Sequence, residues 1–155
     1  TTKVDKKNIN DLLLQEDANK KIDFFSLDID SYDYWILERM NLSKVSVLCC
    51  EYNHWLGREK KLTIAYDENF EFLDNGIWGA SLAALEDLLR KKNFSLIAVE
   101  SSGTNAFFVK NDLAKNFDVL TPEKSFKSVG RFYDQNKKKE IYQNIKKNYH
   151  KLIEL

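Results

Sequence analysis

Hydrophobic and polar positions along the chain fall into alternating helix-like and strand-like stretches, with no internal repeat at a fixed period. From Asn8 to Gln15, apolar Ile9, Leu12 and Leu13 recur at helical spacing behind Asn8, a residue type that caps helices. Ile22-Asp-Phe-Phe-Ser-Leu-Asp-Ile29 is too short and too apolar for a surface helix. It predicts a strand buried on both faces, as in a parallel sheet. Asp30 and Ser31 offer caps for a helix running to about Met40, and Val45 to Glu51 predicts a second buried strand that again ends in acid. The rhythm is β-α-β.

The stretch from Asn53 to Gly79 is less regular, with one strand expected at Leu62 to Tyr66, and reads as an insertion. Ser81 to Lys92 predicts a helix, with Leu82, Leu85, Leu88 and Leu89 on one face and Arg90, Lys91 and Lys92 where the C-terminal dipole favours cations. A strand follows at Phe94 to Val99. The short link Ser101-Ser-Gly-Thr104 then requires an antiparallel partner at Ala106 to Lys110. Ile141, Ile145, Tyr149, Leu152 and Ile153 predict a long amphipathic terminal helix whose lysine-rich face, Lys137 to Lys139 included, is solvated. Together these elements predict an α/β fold of doubly wound type. We expect a Rossmann-like three-layer sandwich, mostly parallel, ending in an antiparallel hairpin. Residues 1–120 form the α/β domain and 121–155 a C-terminal helical extension.

Composition narrows the class. A chain of 155 residues with 43% hydrophobic and 31% charged residues is globular. At this length, folding removes about two-thirds of the extended-chain surface from water. Lys plus Arg equals Asp plus Glu at 24 each, so no net basic field gathers phosphate backbones, and nucleic-acid binding is not expected. The first ten residues lack the apolar core of a signal peptide, and no stretch approaches the ~20 apolar residues of a membrane span. A soluble, cytoplasmic protein without membrane partners is expected. The chain starts with Thr1 rather than Met, as a processed or excised piece does. Cys49 and Cys50, adjacent in an apolar run, suit buried inert thiols better than a disulfide or zinc framework.

In doubly wound sheets ligands collect beyond the carboxyl ends of the strands, which directs attention to the residues there. Asp28, Asp30 and Asp33 follow the first strand; Glu51, Asn53 and His54 follow the second. Parallel neighbours bring both groups to one edge, where carboxylates raise one another's pKa unless a cation or hydrogen-bond donors compensate. Three readings stay open. Asp30 and Asp33 can cap the next helix while Glu51 accepts loop amides; the acids can hold Mg²⁺, Mn²⁺ or Ca²⁺, with His54 as a nitrogen ligand; or they can touch a substrate directly. Tyr32, Tyr34, Trp35, Tyr52, Trp55 and Trp78 flank the same edge and can wall a pocket, stack on a sugar or pack in the core. His150 is expected at the surface. No G-x-G-x-x-G, P-loop or G-x-S-x-G pattern follows any strand, so a nucleotide cradle and a hydrolase nucleophile are both missing from these residues.

Four stretches carry a resemblance: Ile22 to Trp35 with its D-x-D-S-x-D-Y-W core, Cys50-Glu-Tyr-Asn53, Gly79-Ala-Ser-Leu-Ala-Ala-Leu85, and Asn105-Ala-Phe-Phe-Val109. In that order they resemble the C-terminal half of class I S-adenosylmethionine-dependent methyltransferases, above all the FkbM-like bacterial methyltransferases and related uncharacterised proteins. The resemblance runs from about Asn8 to Ala114, with Ser31 in place of the usual Gly. It implies strands four to seven of a seven-stranded sheet, the last one antiparallel and inserted beside strand five. It further implies that the first three strands, which carry the cofactor loop, are absent. Catechol- and caffeoyl-type O-methyltransferases are similar in placing metal-binding acids at these strand ends. Asp28, Asp30, Glu51 and Asn53 match them, although Tyr52 interrupts the adjacent acid-amide pair.

Two functions of different kind follow. As part of an S-adenosylmethionine-dependent O-methyltransferase acting on a saccharide or small metabolite, the chain uses Asp28, Asp30 and Glu51 to orient or deprotonate the acceptor, directly or through Mg²⁺. His54 is then a candidate base, and Tyr32, Trp35, Asn53, Trp55 and Trp78 line the acceptor site. As a non-catalytic binding or interaction module, it retains half the fold and uses the aromatic rim. The cofactor-binding residues are unassigned in either case. Because the first strand loses its neighbour along with the missing half, self-association or pairing with that half is expected.

Overall fold

The computed structural model describes residues 3–15, 20–128 and 132–155; Gly130 lies outside them. The elements are, in chain order, α1 (Ile9–Gln15), β1 (Ile22–Leu27), α2 (Asp33–Arg39), β2 (Val45–Glu51), β3 (Leu62–Ile64), α3 (Leu82–Lys91), β4 (Phe94–Val99), β5 (Asn105–Lys110), α4 (Pro122–Ser125), α5 (Gln135–Asn148) and β6 (Leu152–Glu154). Single 3₁₀ turns occupy His54–Leu56, Ala114–Asn116 and Tyr149–Lys151. The main sheet has the order β1-β2-β5-β4. β1 and β2 are parallel, and β5 runs antiparallel to both of its neighbours. The fold is therefore α/β with a mixed four-stranded sheet, joined by a small antiparallel sheet of β3 and β6.

Local chemistry explains the α3 boundary. The Ser81 hydroxyl accepts from the Ala84 amide at 3.2 Å, closing the first turn of α3. The same hydroxyl donates to the Lys60 carbonyl at 2.7 Å and accepts from the Leu62 amide at 3.0 Å, so one cap also fixes the start of β3. Leu82, Leu85 and Leu89 on the inner face pack with Leu48, Leu96 and Phe108 of the sheet in one buried cluster. Each such side chain contributes about 1.5–3 kcal/mol on leaving water. Cys49 and Cys50 are free and buried within β2, and burial pushes both thiols up, as expected for inert core residues. The Tyr52 hydroxyl, at the foot of the same strand, donates to the Lys127 carbonyl at 2.5 Å and ties the later segment to the sheet.

Five expectations are corrected. The main sheet is not mostly parallel, since only one of its three strand pairings is. β1 is not buried on both faces: Asp23, Phe24 and Ser26 are exposed, Phe24 by 55%. The reason is its position, since among the described residues β1 pairs with β2 alone and forms one edge of the sheet. The helix after β1 starts at Asp33 rather than behind Asp30, because Asp30 adopts a left-handed φ of 54° and turns the chain before the helix begins. The terminal helix stops at Asn148; Leu152 and Ile153 belong to β6, which completes β3, itself only Leu62–Ile64. The segment 121–155 thus ends in a strand paired to the insertion. No helix among the described residues is long and apolar enough to cross a membrane.

Candidate functional site

The parallel register of Leu27 with Cys50 sets Asp28 beside Glu51 at the carboxyl edge of the sheet. The left-handed turn at Asp30, a conformation that Asp tolerates better than most residues, folds a third carboxylate back toward them. One carboxylate oxygen from each of Asp28, Asp30 and Glu51 lies within 4.8 Å of the others. Oε2 of Glu51 is sealed from solvent without a hydrogen-bond partner. Burial, followed by the charges of Asp28, Asp30 and Asp33, pushes the Glu51 carboxyl up to about 8. Partial burial, reinforced by Asp30, also raises Asp28.

Asp33 has a different task. Its carboxylate is buried and accepts the amides of Ile29 at 2.9 Å and Ser31 at 3.1 Å, bracing the turn that presents Asp30. Burial raises its pKa against the lowering effect of those amides.

The three converging acids fit a hard divalent cation such as Mg²⁺, which takes oxygen ligands and compensates crowded charge. Asn53 does not fit that role. Fully buried, it donates from Nδ2 to the carbonyls of Gly76 at 3.1 Å and Trp78 at 2.8 Å, and its Oδ1 accepts the Trp55 amide at 2.9 Å. It holds the insertion to the end of β2 and has no free group for a metal or substrate.

His54 opens the 3₁₀ turn that Asn53 caps. The residue is 5% exposed, and neither ring nitrogen has a hydrogen-bond partner. Burial lowers its pKa to about 4, so it is a neutral imidazole at physiological pH and a weak base. Its ring packs 4.5 Å from that of Trp55. Trp55 and Trp78 are both buried with unpartnered indole N–H groups. Tyr32 and Trp35 follow Asp30 in the chain. The Tyr32 hydroxyl donates to the Val4 carbonyl at 3.1 Å, and the Trp35 indole donates to the Ile64 carbonyl at 2.8 Å, so their polar tips are engaged within the protein. A cavity of about 320 Å³ takes in Asp30 but neither Asp28 nor Glu51, and is lined besides by Lys3, Val4, Ile29, Ser31, Tyr32, Phe70 and Phe72. Asp30 and Tyr32 therefore face one space, whereas Trp35, Trp55 and Trp78 do not line it.

Sequence reasoning missed Phe70 and Phe72, which wall this cavity from the insertion, and Tyr133. The Tyr133 ring sits 5.1 Å from Trp55 and 6.4 Å from His54, its hydroxyl donates to Asp74 at 3.3 Å, and the charge of Glu51 is among the influences that raise its pKa. It also missed Glu100 at the end of β4, whose carboxylate accepts from Ser102, Thr104 and Asn105 and is held below its usual range by those donors. Glu100 carries the same strand-end signal as Asp28 and Glu51 and could have been found by it, whereas Phe70, Phe72 and Tyr133 carry no local pattern and only the tertiary fold brings them here.

In comparisons with known proteins, no family model, no curated protein and no solved structure matches the chain.

Proposed function

We propose that the chain is the acceptor-binding part of an S-adenosylmethionine-dependent O-methyltransferase, FkbM-like in type, with a saccharide or small-metabolite hydroxyl as acceptor. The observation that carries this reading is the convergence of Asp28, Asp30 and Glu51 at the ends of two parallel strands, with an oxygen of Glu51 sealed and unpartnered. The sheet order supports it as well: β5 stands antiparallel between β2 and β4, the arrangement that the resemblance implies for the last strands of a Rossmann-like methyltransferase sheet.

The donor would supply an electrophilic methyl group, and the protein's tasks are to align the nucleophile and remove its proton. None of the described glycines, Gly57, Gly76, Gly79 and Gly103, forms a glycine-rich loop behind a parallel strand, so these residues do not provide a cradle for the donor. The roles assigned here therefore concern the acceptor. Asp28, more basic than a free aspartate, accepts the hydroxyl proton; Asp30 orients the hydroxyl from the cavity wall. Glu51, pushed up to about 8, donates a hydrogen bond when protonated. In the alternative route Glu51 is ionised, and Mg²⁺ held by Asp28, Asp30 and Glu51 would acidify a coordinated hydroxyl. The strands that bind the donor would lie beyond the open edge of β1, outside these residues.

Calorimetric titration with S-adenosylhomocysteine, with and without Mg²⁺, of the chain alone and together with a complementary half tests the reading. Saturable heat only in the presence of that half, weakened by Asp28→Asn in the Mg²⁺ buffer, is the expected result. A folded complex giving no heat in either buffer overturns it in favour of the second reading, a non-catalytic binding module, which the lack of a glycine cradle favours. Where transfer is reconstituted with a complementary half, Asp28→Asn abolishes it while the fold stays intact.

A further inference from the structure

A second and larger cavity, of about 620 Å³, lies between the insertion and α5, away from the acids. Its apolar part is formed by Ile64, Phe70 and Ile77, and its polar rim includes Asp67, Glu71 and Asn148. Phe70 also walls the smaller cavity that contains Asp30, so one ring separates the two spaces. The same ring packs against both hydrophobic clusters of the protein, which fixes it as the partition.

The rim's hydrogen bonding has a definite polarity. Nδ2 of Asn148 donates to the carbonyl oxygen of Asn144 at 3.1 Å and to its Oδ1 at 2.9 Å, while Nδ2 of Asn144 donates to the Asn75 carbonyl at 2.9 Å. The Asn148 amide donor is thus engaged within the protein, one hydrogen of the Asn144 amide is also taken, and the rim's two carboxylates give it an excess of acceptors for a ligand. A ligand that suits an acceptor-rich rim over an aromatic and aliphatic wall carries many hydroxyl donors and an apolar C–H face, which is the chemistry of a pyranose ring. Two carboxylates against the single Lys151 ammonium disfavour an acidic sugar.

We infer that this cavity is a distal acceptor subsite for a neutral or amino-substituted saccharide of at least two units, one ring held between Phe70 and α5 and the next placed across Phe70 beside Asp30. The inference rests on the saccharide-acceptor reading above and deepens it. Acceptor length and charge are then selected by the insertion and α5, and the acids handle only the ring to be modified.

Amide chemical-shift mapping and calorimetry on the 155-residue chain, with cellobiose, cellotriose, N,N′-diacetylchitobiose and glucosamine disaccharide beside their monosaccharides, test it. At least one oligosaccharide should shift amides around both cavities and bind about tenfold more tightly than its monosaccharide, the effect of one or two added hydrogen bonds. Glu71→Ala and Asn148→Ala, at the rim and away from the acids, should each remove most of that gain and leave monosaccharide binding unchanged. Phe70→Ala should weaken mono- and oligosaccharide alike, because Phe70 lines both cavities, so the rim variants decide. Equal binding of mono- and oligosaccharides, or shifts confined to one cavity, overturns the subsite and leaves the methyltransferase reading standing. No saccharide binding at all overturns the subsite too, and S-adenosylhomocysteine titration then reports separately on the enzyme.

Discussion

Glu51 and His54, three positions apart where β2 gives way to its 3₁₀ turn, are driven in opposite directions by the same burial, the carboxyl up to about 8 and the imidazole down to about 4. Both are therefore mostly uncharged at pH 7. One end of one strand holds a protonated acid and a neutral base, each with polar atoms lacking a partner. Such a pair is costly to fold and is relieved by a cation, a ligand or ordered water.

For Glu51 the folded pKa lies above its ordinary value near 4.5. The folded state then holds the extra proton, so this stabilisation is complete below about pH 4.5 and is lost as pH rises through about 8. Glu51→Gln should match the wild type in urea unfolding at pH 4 and exceed it by about 1–2 kcal/mol at pH 8.5, a figure reduced for the group's partial exposure. Equal stability at both pH values would contradict this account of the site.

His54 shows the opposite sign. Its folded pKa lies below the ordinary 6.5, so the stability associated with the neutral ring is present above that value and lost as pH falls toward 4. His54→Phe, similar in shape and without unpartnered nitrogens, should flatten the unfolding profile between pH 6.5 and 4. We expect it to be at least as stable as the wild type at pH 5.

The acid trio makes a separable prediction about Mg²⁺. Millimolar Mg²⁺ at pH 7.5 should raise the thermal midpoint and release protons, since ligation requires the Glu51 carboxylate. Asp28→Asn should remove the response. Asn53→Ala should instead lower stability by about 2–4 kcal/mol through its lost buried hydrogen bonds, while Mg²⁺ still shifts the midpoint.

Gly76 in the insertion stands directly against α5. At φ +82°, a Cβ on it would stand 2.7 Å from side-chain atoms of Ile141 and Ile145. Gly76→Ala should cost about 2–4 kcal/mol from backbone strain and overpacking together. Hydrogen exchange should show α5 losing protection before the main sheet does.

Local periodicity was sufficient wherever an element's own residues decide its form. Phe94–Val99 and Val45–Glu51 are strands with the expected bounds, and α3 follows from its leucine face and the Ser81 cap. It failed where the outcome depends on a distant partner. Leu152 and Ile153 continue a helical spacing, yet they pair with Thr63 and Ile64, whose open edge captures them. The exposure of Phe24 likewise follows from having a single neighbouring strand, which an apolar run cannot report. At the site, the acids were legible because strand ends are fixed by topology. For Asn53 the structural engagement was not legible, since a side chain bonded to two backbone carbonyls and an amide looks, in sequence, the same as a free one. Phe70 and Tyr133 left no trace at all.

The pairing of Leu62 with Glu154 also imposes an order in time. On a ribosome the main sheet can close as soon as β5 emerges, but β3 keeps a bare edge until Leu152–Glu154 has been made. The insertion therefore matures last, and with it the wall formed by Phe70 and α5. A nascent chain would carry its acids in place well before it had a pocket to put beside them.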